Sequence, residues 1–264
     1  FAKAGMYANS DEFRLNHLKK VLYARDSKMI WCVRGGYGAI RLMPEIEKWK
    51  RPAQAKIFLG YSDITTLHAH LNRKWNWPTL HGPLLDRLGR DALTPRERRE
   101  LLELIFGRLD HVEFTNLKPL NKAARAARVL RAPVLGGNMA VLQSGLGTPS
   151  ALKPSGSILF FEDTGERPHR VDRMLMQMTQ AGWFKHCRAV VFGDFALSNA
   201  KDKRGLWREV IPAFASAAKI PVLMGLPVVH LDRRQRTLPL NTSAELHLGS
   251  KPKLIVDSGI HERV

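Results

Sequence analysis

Apolar positions follow two spacings that trade places along the chain. Residues 10–24 carry Phe13, Leu18 and Leu22 on one face, which predicts a helix capped by Ser10 or Asp11. Met29-Ile30-Trp31-Cys32-Val33 is an unbroken apolar run and predicts a buried strand, ended by the turn Arg34-Gly35-Gly36-Tyr37-Gly38. Helical spacing returns over 40–49, strand character over 56–59, and helical spacing again at Ile64, Leu67 and Leu71. A short strand then leads into the turn His81-Gly82-Pro83, and residues 94–106 predict a helix. Thr94 serves as its cap, Pro95 as its first residue and Glu97 as partner in a capping box. Strands alternating with helices imply parallel strands in an α/β sheet, with active sites gathered at their carboxyl ends.

Periodicity fades and charge rises from 111 to 131, which places a domain boundary there. Beyond it the alternation resumes. Val134-Leu135-Gly136-Gly137-Asn138-Met139 predicts a strand and turn entering a helix that ends at Leu146. Residues 157–161 predict a strong strand ending at Glu162-Asp163. A helix over 171–181 presents Met174, Leu175 and Met178 on one face, a stripe better suited to a core than to a binding box. Residues 189–194 predict a buried strand, 206–218 a helix, and 221–224 a strand. Pro227-Val228-Val229-His230 leads into a basic loop, and 237–248 and 253–256 are expected as closing strands. The expected domains are therefore 1–120 and 121–264, with a linker near 112–131.

Composition adds little to this pattern, but charge does. The 264 residues carry a formal net charge of +18, with ordinary globular proportions otherwise. Such charge invites a nucleic-acid partner. The basic residues are scattered, however, and their densest groups are not interleaved with aromatics as a single-strand platform would be. No nucleic acid is expected, and an acidic substrate suits such a surface equally well. No apolar run approaches the ~18 residues of a membrane span. Cys32 and Cys187 lie in separate apolar runs and are expected as reduced thiols, with no metal site.

The chemistry concentrates at Gly60-Tyr61-Ser62-Asp63, between a strand and a helix. A serine at such a turn is held out of the sheet near the amides of the next helix, the geometry of a nucleophile elbow. The usual second glycine of that motif is Ile64 here, and helix capping is the competing use of Ser and Asp. The diglycine turns at Gly35-Gly36 and Gly136-Gly137 lack the residues of a P-loop or a dinucleotide fingerprint. They read as tight turns whose amides could serve an oxyanion. A serine nucleophile needs a base, and the base an orienting carboxylate. His68 and His70 would point down the helix, away from the hydroxyl. His81 and His230 both remain open as the base, and Glu162 stands at a strand end.

Taken together, Arg34-Gly35-Gly36-Tyr37-Gly38, Gly60-Tyr61-Ser62-Asp63, His81-Gly82-Pro83, Gly136-Gly137-Asn138, Phe161-Glu162-Asp163 with Asp172-Arg173-Met174-Leu175, and Gly193-Asp194 occur in one order. That series resembles the LD-carboxypeptidases, serine peptidases related to the microcin C self-immunity peptidases, over nearly the whole chain. The resemblance implies a Rossmann- or flavodoxin-like parallel sheet in the N-terminal domain and an α/β domain with a mixed sheet in the C-terminal one. The family's first strand-helix-strand unit would precede Phe1, so the N-terminal sheet is expected to be incomplete. The implied triad is Ser62 as nucleophile, Glu162 as orienting acid and His230 as base, with the amides of Gly36 and Asp63 as oxyanion hole. Val229 and Leu231 flank His230 where the family carries glycines.

Arg34, Asn138 and Arg173 are candidates for holding substrate, the arginines because a guanidinium can grip a terminal carboxylate. No metal or cofactor is implied. The implied activity is cytoplasmic release of terminal D-alanine from murein tetrapeptides during peptidoglycan recycling, with the murein peptide as partner, no membrane, and a homodimer compatible with it. Two other functions compete. One is a self-immunity peptidase cutting an aminoacyl- or peptidyl-nucleotide. The other is a basic nucleic-acid-binding α/β protein in which Ser62 is only a cap.

Overall fold

The computed structural model describes residues 6–90, 92–196, 200–228 and 235–260. In chain order the first half contains α1 (Asp11–Tyr23), β1 (Met29–Trp31), α2 (Ala39–Ile46), β2 (Ile57–Gly60), α3 (Thr65–Trp75), β3 (Thr79–His81), α4 (Leu85–Gly89) and α5 (Pro95–Ile105). A single 3-10 turn, Ser62–Ile64, joins β2 to α3. The middle holds β4 (His111–Phe114), β5 (Lys118–Pro119), α6 (Lys122–Arg125) and β6 (Val129–Arg131). The second half holds β7 (Val134–Asn138), α7 (Met139–Ser144), β8 (Ile158–Thr164), α8 (Pro168–Gln180), β9 (Ala189–Ala196), α9 (Ala200–Gly205), α10 (Ile211–Ala217), β10 (Val222–Met224), β11 (Leu238–Leu240), β12 (Ala244–His247) and β13 (Lys253–Asp257). A π-helical turn, Leu206–Val210, precedes α10. This is a mixed α/β fold, as the spacing of apolar positions predicts.

Local chemistry sets the element ends. Ser10 caps α1 by accepting the Phe13 N–H at 3.2 Å. Thr94 and Glu97 close the reciprocal box at the start of α5, with the Thr94 N–H on Glu97 Oε2 at 2.9 Å and the Glu97 N–H on Thr94 Oγ1 at 3.2 Å. Gly38 begins α2 with no side-chain cap of its own. Asp63 supplies that cap from across the sheet, its Oδ2 accepting the Ala39 N–H at 2.8 Å.

The described residues form three sheets. The first has the order β1-β2-β3-β11, the second β5-β10-β9-β8-β7, and the third β4-β13-β12-β6. Strands β1, β2 and β3 run parallel, and β11 closes that sheet antiparallel to β3, pairing Leu238 with His81. In the second sheet β7 through β10 are parallel and β5 is antiparallel, so this sheet is mixed. The third is antiparallel throughout.

Several expectations change on contact with these sheets. Among the described residues strand β1 lies at the edge of its sheet, and it is only half-buried. The stretch over 237–248 is two strands, not one. Asn241 takes φ 61° and turns the chain, so β11 joins the first sheet and β12 the third. The charged stretch near 112–131 carries β4, β5, α6 and β6. Its Val112 and Phe114 point inward between exposed His111 and half-buried Glu113, an alternation too short to stand out against the charge.

Side chains on opposite faces of the strands feed different cores. Leu159, Phe161, Val190 and Phe192 pack against α7, α8 and α10 with Met139, Leu175, Met178 and Ile211. Leu22, Leu42, Met43 and Ile46 of α1 and α2 pack on Phe58, Leu67, Leu71, Trp75 and Trp77. Between them lies a third cluster that draws on all three sheets. It joins Leu59 and Leu80 of the first, Phe160, Val191 and Leu223 of the second, and Leu246, Leu254 and Val256 of the third. The halves therefore share a continuous apolar core.

Candidate active site

The turn after β2 carries the most unusual backbone in the first half. Ser62 sits at φ 67°, in the left-handed region that serine rarely occupies. A non-glycine residue held there costs of order 1–3 kcal/mol, and such strain clusters at functional sites. The surrounding packing enforces it. A Cβ added to Gly35 would lie 2.8 Å from Ser62 Cβ and 3.0 Å from its Oγ, so the diglycine turn presses directly on the serine. A Cβ on Gly60 would meet Ile64 Cγ2 at 3.0 Å and Cys32 Cβ at 3.1 Å. Gly36, at φ 122°, has nothing within 4 Å of an added Cβ. Asp63 holds the diglycine turn in place through its bond to Ala39. Burial raises the Asp63 carboxyl above its ordinary range, opposed by the bonds from the Ala39 and Gly38 backbone and by the Arg14 charge.

Strand pairing carries this turn toward the second sheet. Gly60 is the register partner of His81 on β3, and the Gly82 N–H donates to the Gly60 carbonyl at 3.1 Å. His81 is buried between Tyr61, His68 and Phe160, and its Nε2 lies 3.9 Å from Glu162 Oε1. Glu162 has no exposed surface. It belongs to β8 itself, two residues before that strand ends, and a bulge between Phe161 and Asp163 breaks the regular alternation. Glu162 and Asp163 are both buried, as are residues 158–161 before them, because both faces of this sheet are covered.

Asn138 pairs with Glu162 across β7 and β8. Its Oδ1 caps α7 by accepting the Val141 N–H at 3.1 Å, and its Nδ2 donates to Asp163 Oδ1 at 3.1 Å. Asp163 also accepts the N–H groups of Ala140 at 2.8 Å and Thr164 at 2.7 Å. Burial, then the neighbouring Glu162 charge, pushes the Asp163 carboxyl up to about 7 against those three bonds. Burial also lowers His68, to about 4, and its Nε2 bonds the Gly60 carbonyl at 2.9 Å, a structural use. His70 pairs with Glu47 at 2.9 Å, away from the serine turn.

The remaining candidates are placed as follows. Arg34 is 71% exposed and pairs with Asp86 at 3.5 Å. Arg173 stands on the exposed face of α8, opposite buried Met174 and Leu175. His230 lies outside the described residues, as do Val229 and Leu231. The described chain reaches Val228 on one side of it and Gln235 on the other, where the Arg236 N–H bonds the Pro227 carbonyl at 3.2 Å. The sequence leaves His81 open as a base but does not place it beside Glu162. The signal for it was a histidine at the carboxyl end of a strand adjacent to the elbow strand. Both cysteines are free, and burial pushes each thiol up to about 12. Among the described residues no group of side chains suited to a metal ion is present, and no helix is long and apolar enough to cross a membrane.

The chain is similar to known proteins over most of its length. Residues 1–82 match the LD-carboxypeptidase N-terminal domain and residues 131–246 the LD-carboxypeptidase C-terminal domain. A putative carboxypeptidase of Rickettsia conorii is 33% identical over 97% of this chain and 80% of its own length. The murein tetrapeptide carboxypeptidase of Pseudomonas aeruginosa is 30% identical over 90% of this chain and 78% of its own. The crystal structure of muramoyltetrapeptide carboxypeptidase from Oxalobacter formigenes superposes with a TM-score of 0.81 at 27% identity, covering 97% of this chain and 88% of that one. The microcin C7 self-immunity protein of Escherichia coli is a more distant likeness, 24% identical over 90% of this chain and 76% of its own.

Proposed function

The chain belongs to the LD-carboxypeptidase family and is a serine-type carboxypeptidase, and from that premise we propose that Ser62, Glu162 and His230 hydrolyse the L,D-peptide bond that holds the terminal D-alanine of murein tetrapeptides. The observation that carries the proposal is Ser62 at left-handed φ, pressed by Gly35 and opening a helix, at the sheet end that leads through His81 to Glu162.

In the proposed reaction His230 takes the Ser62 proton as the hydroxyl oxygen attacks the amide carbonyl. The Gly36 and Asp63 N–H groups donate to the oxyanion, a contribution of ~3 kcal/mol per donor in comparable sites. Glu162 fixes the imidazole tautomer and stabilises the imidazolium. His230 then protonates the departing D-alanine nitrogen, and water hydrolyses the acyl-enzyme by the same route in reverse order. Arg34 is proposed to hold the free carboxylate that an exopeptidase must recognise, with Asn138 and Arg173 as further candidates. No nucleic acid, metal or cofactor takes part. The proposed setting is cytoplasmic peptidoglycan recycling.

Mass spectrometry of purified protein incubated with a murein tetrapeptide tests the proposal. Wild type is expected to yield tripeptide and D-alanine. Ser62→Ala is expected to yield neither while keeping the wild-type melting temperature. Turnover by Ser62→Ala at the wild-type rate would remove Ser62 from the mechanism. The likeness to the microcin C7 self-immunity protein supports a second substrate, an aminoacyl-nucleotide cut by the same residues. Cleavage of an aminoacyl sulfamoyl adenosine in place of the tetrapeptide would select it.

A further inference from the structure

Ser62 and Glu162 come from different sheets, so a contact between those sheets must set their separation. Ser62 passes through one 3-10 turn to Thr65, the first residue of α3. Glu162 lies on β8, and its partner on β7 is Asn138. The Asn138 backbone N–H donates to Thr65 Oγ1 at 3.1 Å, joining the two. Thr65 and Asn138 are both buried, so the bond is shielded from competing water.

Each end of this bond is fixed close to a proposed reacting group. Thr65 follows Ser62 by three residues, and its backbone N–H donates to the Ser62 and Asp63 carbonyls. Asn138 is anchored by its bonds to Asp163 and Val141, and Asp163 follows Glu162 directly. Gly137 permits the approach. A Cβ there would stand 2.7 Å from both Thr65 Cγ2 and Thr65 Oγ1. Nor is Thr65 the cap of its own helix, because Ile64 holds that place and makes no side-chain cap bond.

We propose that Thr65 is a positioning residue, whose hydroxyl oxygen accepts the Asn138 N–H and thereby sets the Ser62 turn against the strand that carries Glu162. This rests on Ser62 and Glu162 acting in one site, as proposed above. A displacement of about 1 Å between reacting groups can cost about a hundredfold in rate, so one buried bond at this position has leverage over the chemistry.

The test compares Thr65→Val, which keeps the branched shape and removes the acceptor, with Thr65→Ser, which keeps the acceptor and removes the methyl. Three quantities are read for each: kcat and KM on a murein tetrapeptide, the rate at which a fluorophosphonate labels Ser62, and the melting temperature. Thr65→Val is expected to lower kcat by about 10- to 100-fold with KM within about twofold, and to slow labelling by a similar factor. Thr65→Ser is expected to recover most of both rates. If Thr65→Val keeps the wild-type kcat and labelling rate, the proposal falls, whatever the melting temperature does. It also falls if both variants lose rate in proportion to melting temperature, since that marks a packing role alone. Thr65→Ala gives the same comparison should the valine variant fail to fold. Labelling separates this proposal from the substrate assignment. A wild type that labels but leaves the tetrapeptide intact overturns the substrate and still decides Thr65; a wild type that does neither overturns both.

Discussion

Of the two diglycine pairs, Gly35-Gly36 lies in the loop after β1, whereas Gly136-Gly137, expected as a tight turn, is part of strand β7 and pairs with Phe160 and Phe161, and the two do opposite things. Gly35-Gly36 borders open space: Gly35 touches Ser62, while an added Cβ on Gly36 would meet nothing within 4 Å. Gly136-Gly137 is sealed on both sides, with φ 141° and 144°. A Cβ on Gly136 would fall on the Phe160 carbonyl oxygen, and one on Gly137 on the Thr65 side chain. The first pair leaves room beside the proposed nucleophile, and the second lets a strand of one sheet meet a helix that follows another. Identical dipeptides thus serve access in one place and closure in the other. What separates them is the partner that arrives from elsewhere in the chain.

The contrast can be broken most directly by giving each pair a methyl group. Gly136→Ala drives Cβ into the backbone of a central strand, which cannot give way. A loss above about 4 kcal/mol is expected, read as failure to fold or as a collapsed urea midpoint. Gly36→Ala meets no atom and bears only the strain of its backbone angle, about 1–2 kcal/mol by the same measurement. Equal losses in the two variants would erase the distinction. Gly35→Ala is expected to act on rate. Its Cβ must displace Ser62, so kcat should fall about 100-fold or more while the protein still unfolds cooperatively.

A smaller effect sharpens the sealed side. Asp163 is held up to about 7 in the folded protein, well above an unfolded carboxyl near 4. A group raised on folding favours the folded state most below its unfolded value. That advantage is lost as pH climbs from about 4 to about 7 and stays lost above it. The stability of wild type relative to Asp163→Asn should therefore decline across that window in paired denaturation curves. A flat difference would mean that the three N–H donors fully offset burial and the Glu162 charge.

Ser62 was legible because a single turn of chain carries its whole signal: a strand, a glycine, a serine, and helical spacing after it. The same locality made the caps at Ser10 and Thr94 legible. Glu162 is legible as a residue near a strand end, but the bulge between Phe161 and Asp163 has no local marker. The neighbour it finds in His81 depends on how two sheets dock, which periodicity does not encode. Strand β11 illustrates the limit. Its alternation with β12 reads as one strand, and only the backbone of Asn241 sends the two to different sheets. His230, placed by resemblance to a family, lies beyond the described residues.

Strand β11 has a further consequence, for anyone who would take the molecule apart. The first sheet is closed by residues 238–240, which the chain reaches only after building the second. A piece ending near residue 120 would expose the β3 edge, and the remaining piece would carry a strand with no sheet to join. The two halves are laced rather than strung, so neither is a portable module. A chimera of two relatives that exchanges only the first 120 residues would place one parent's strand against the other parent's sheet. Functional exchange would require residues 238–240 to travel with the part of the chain they complete.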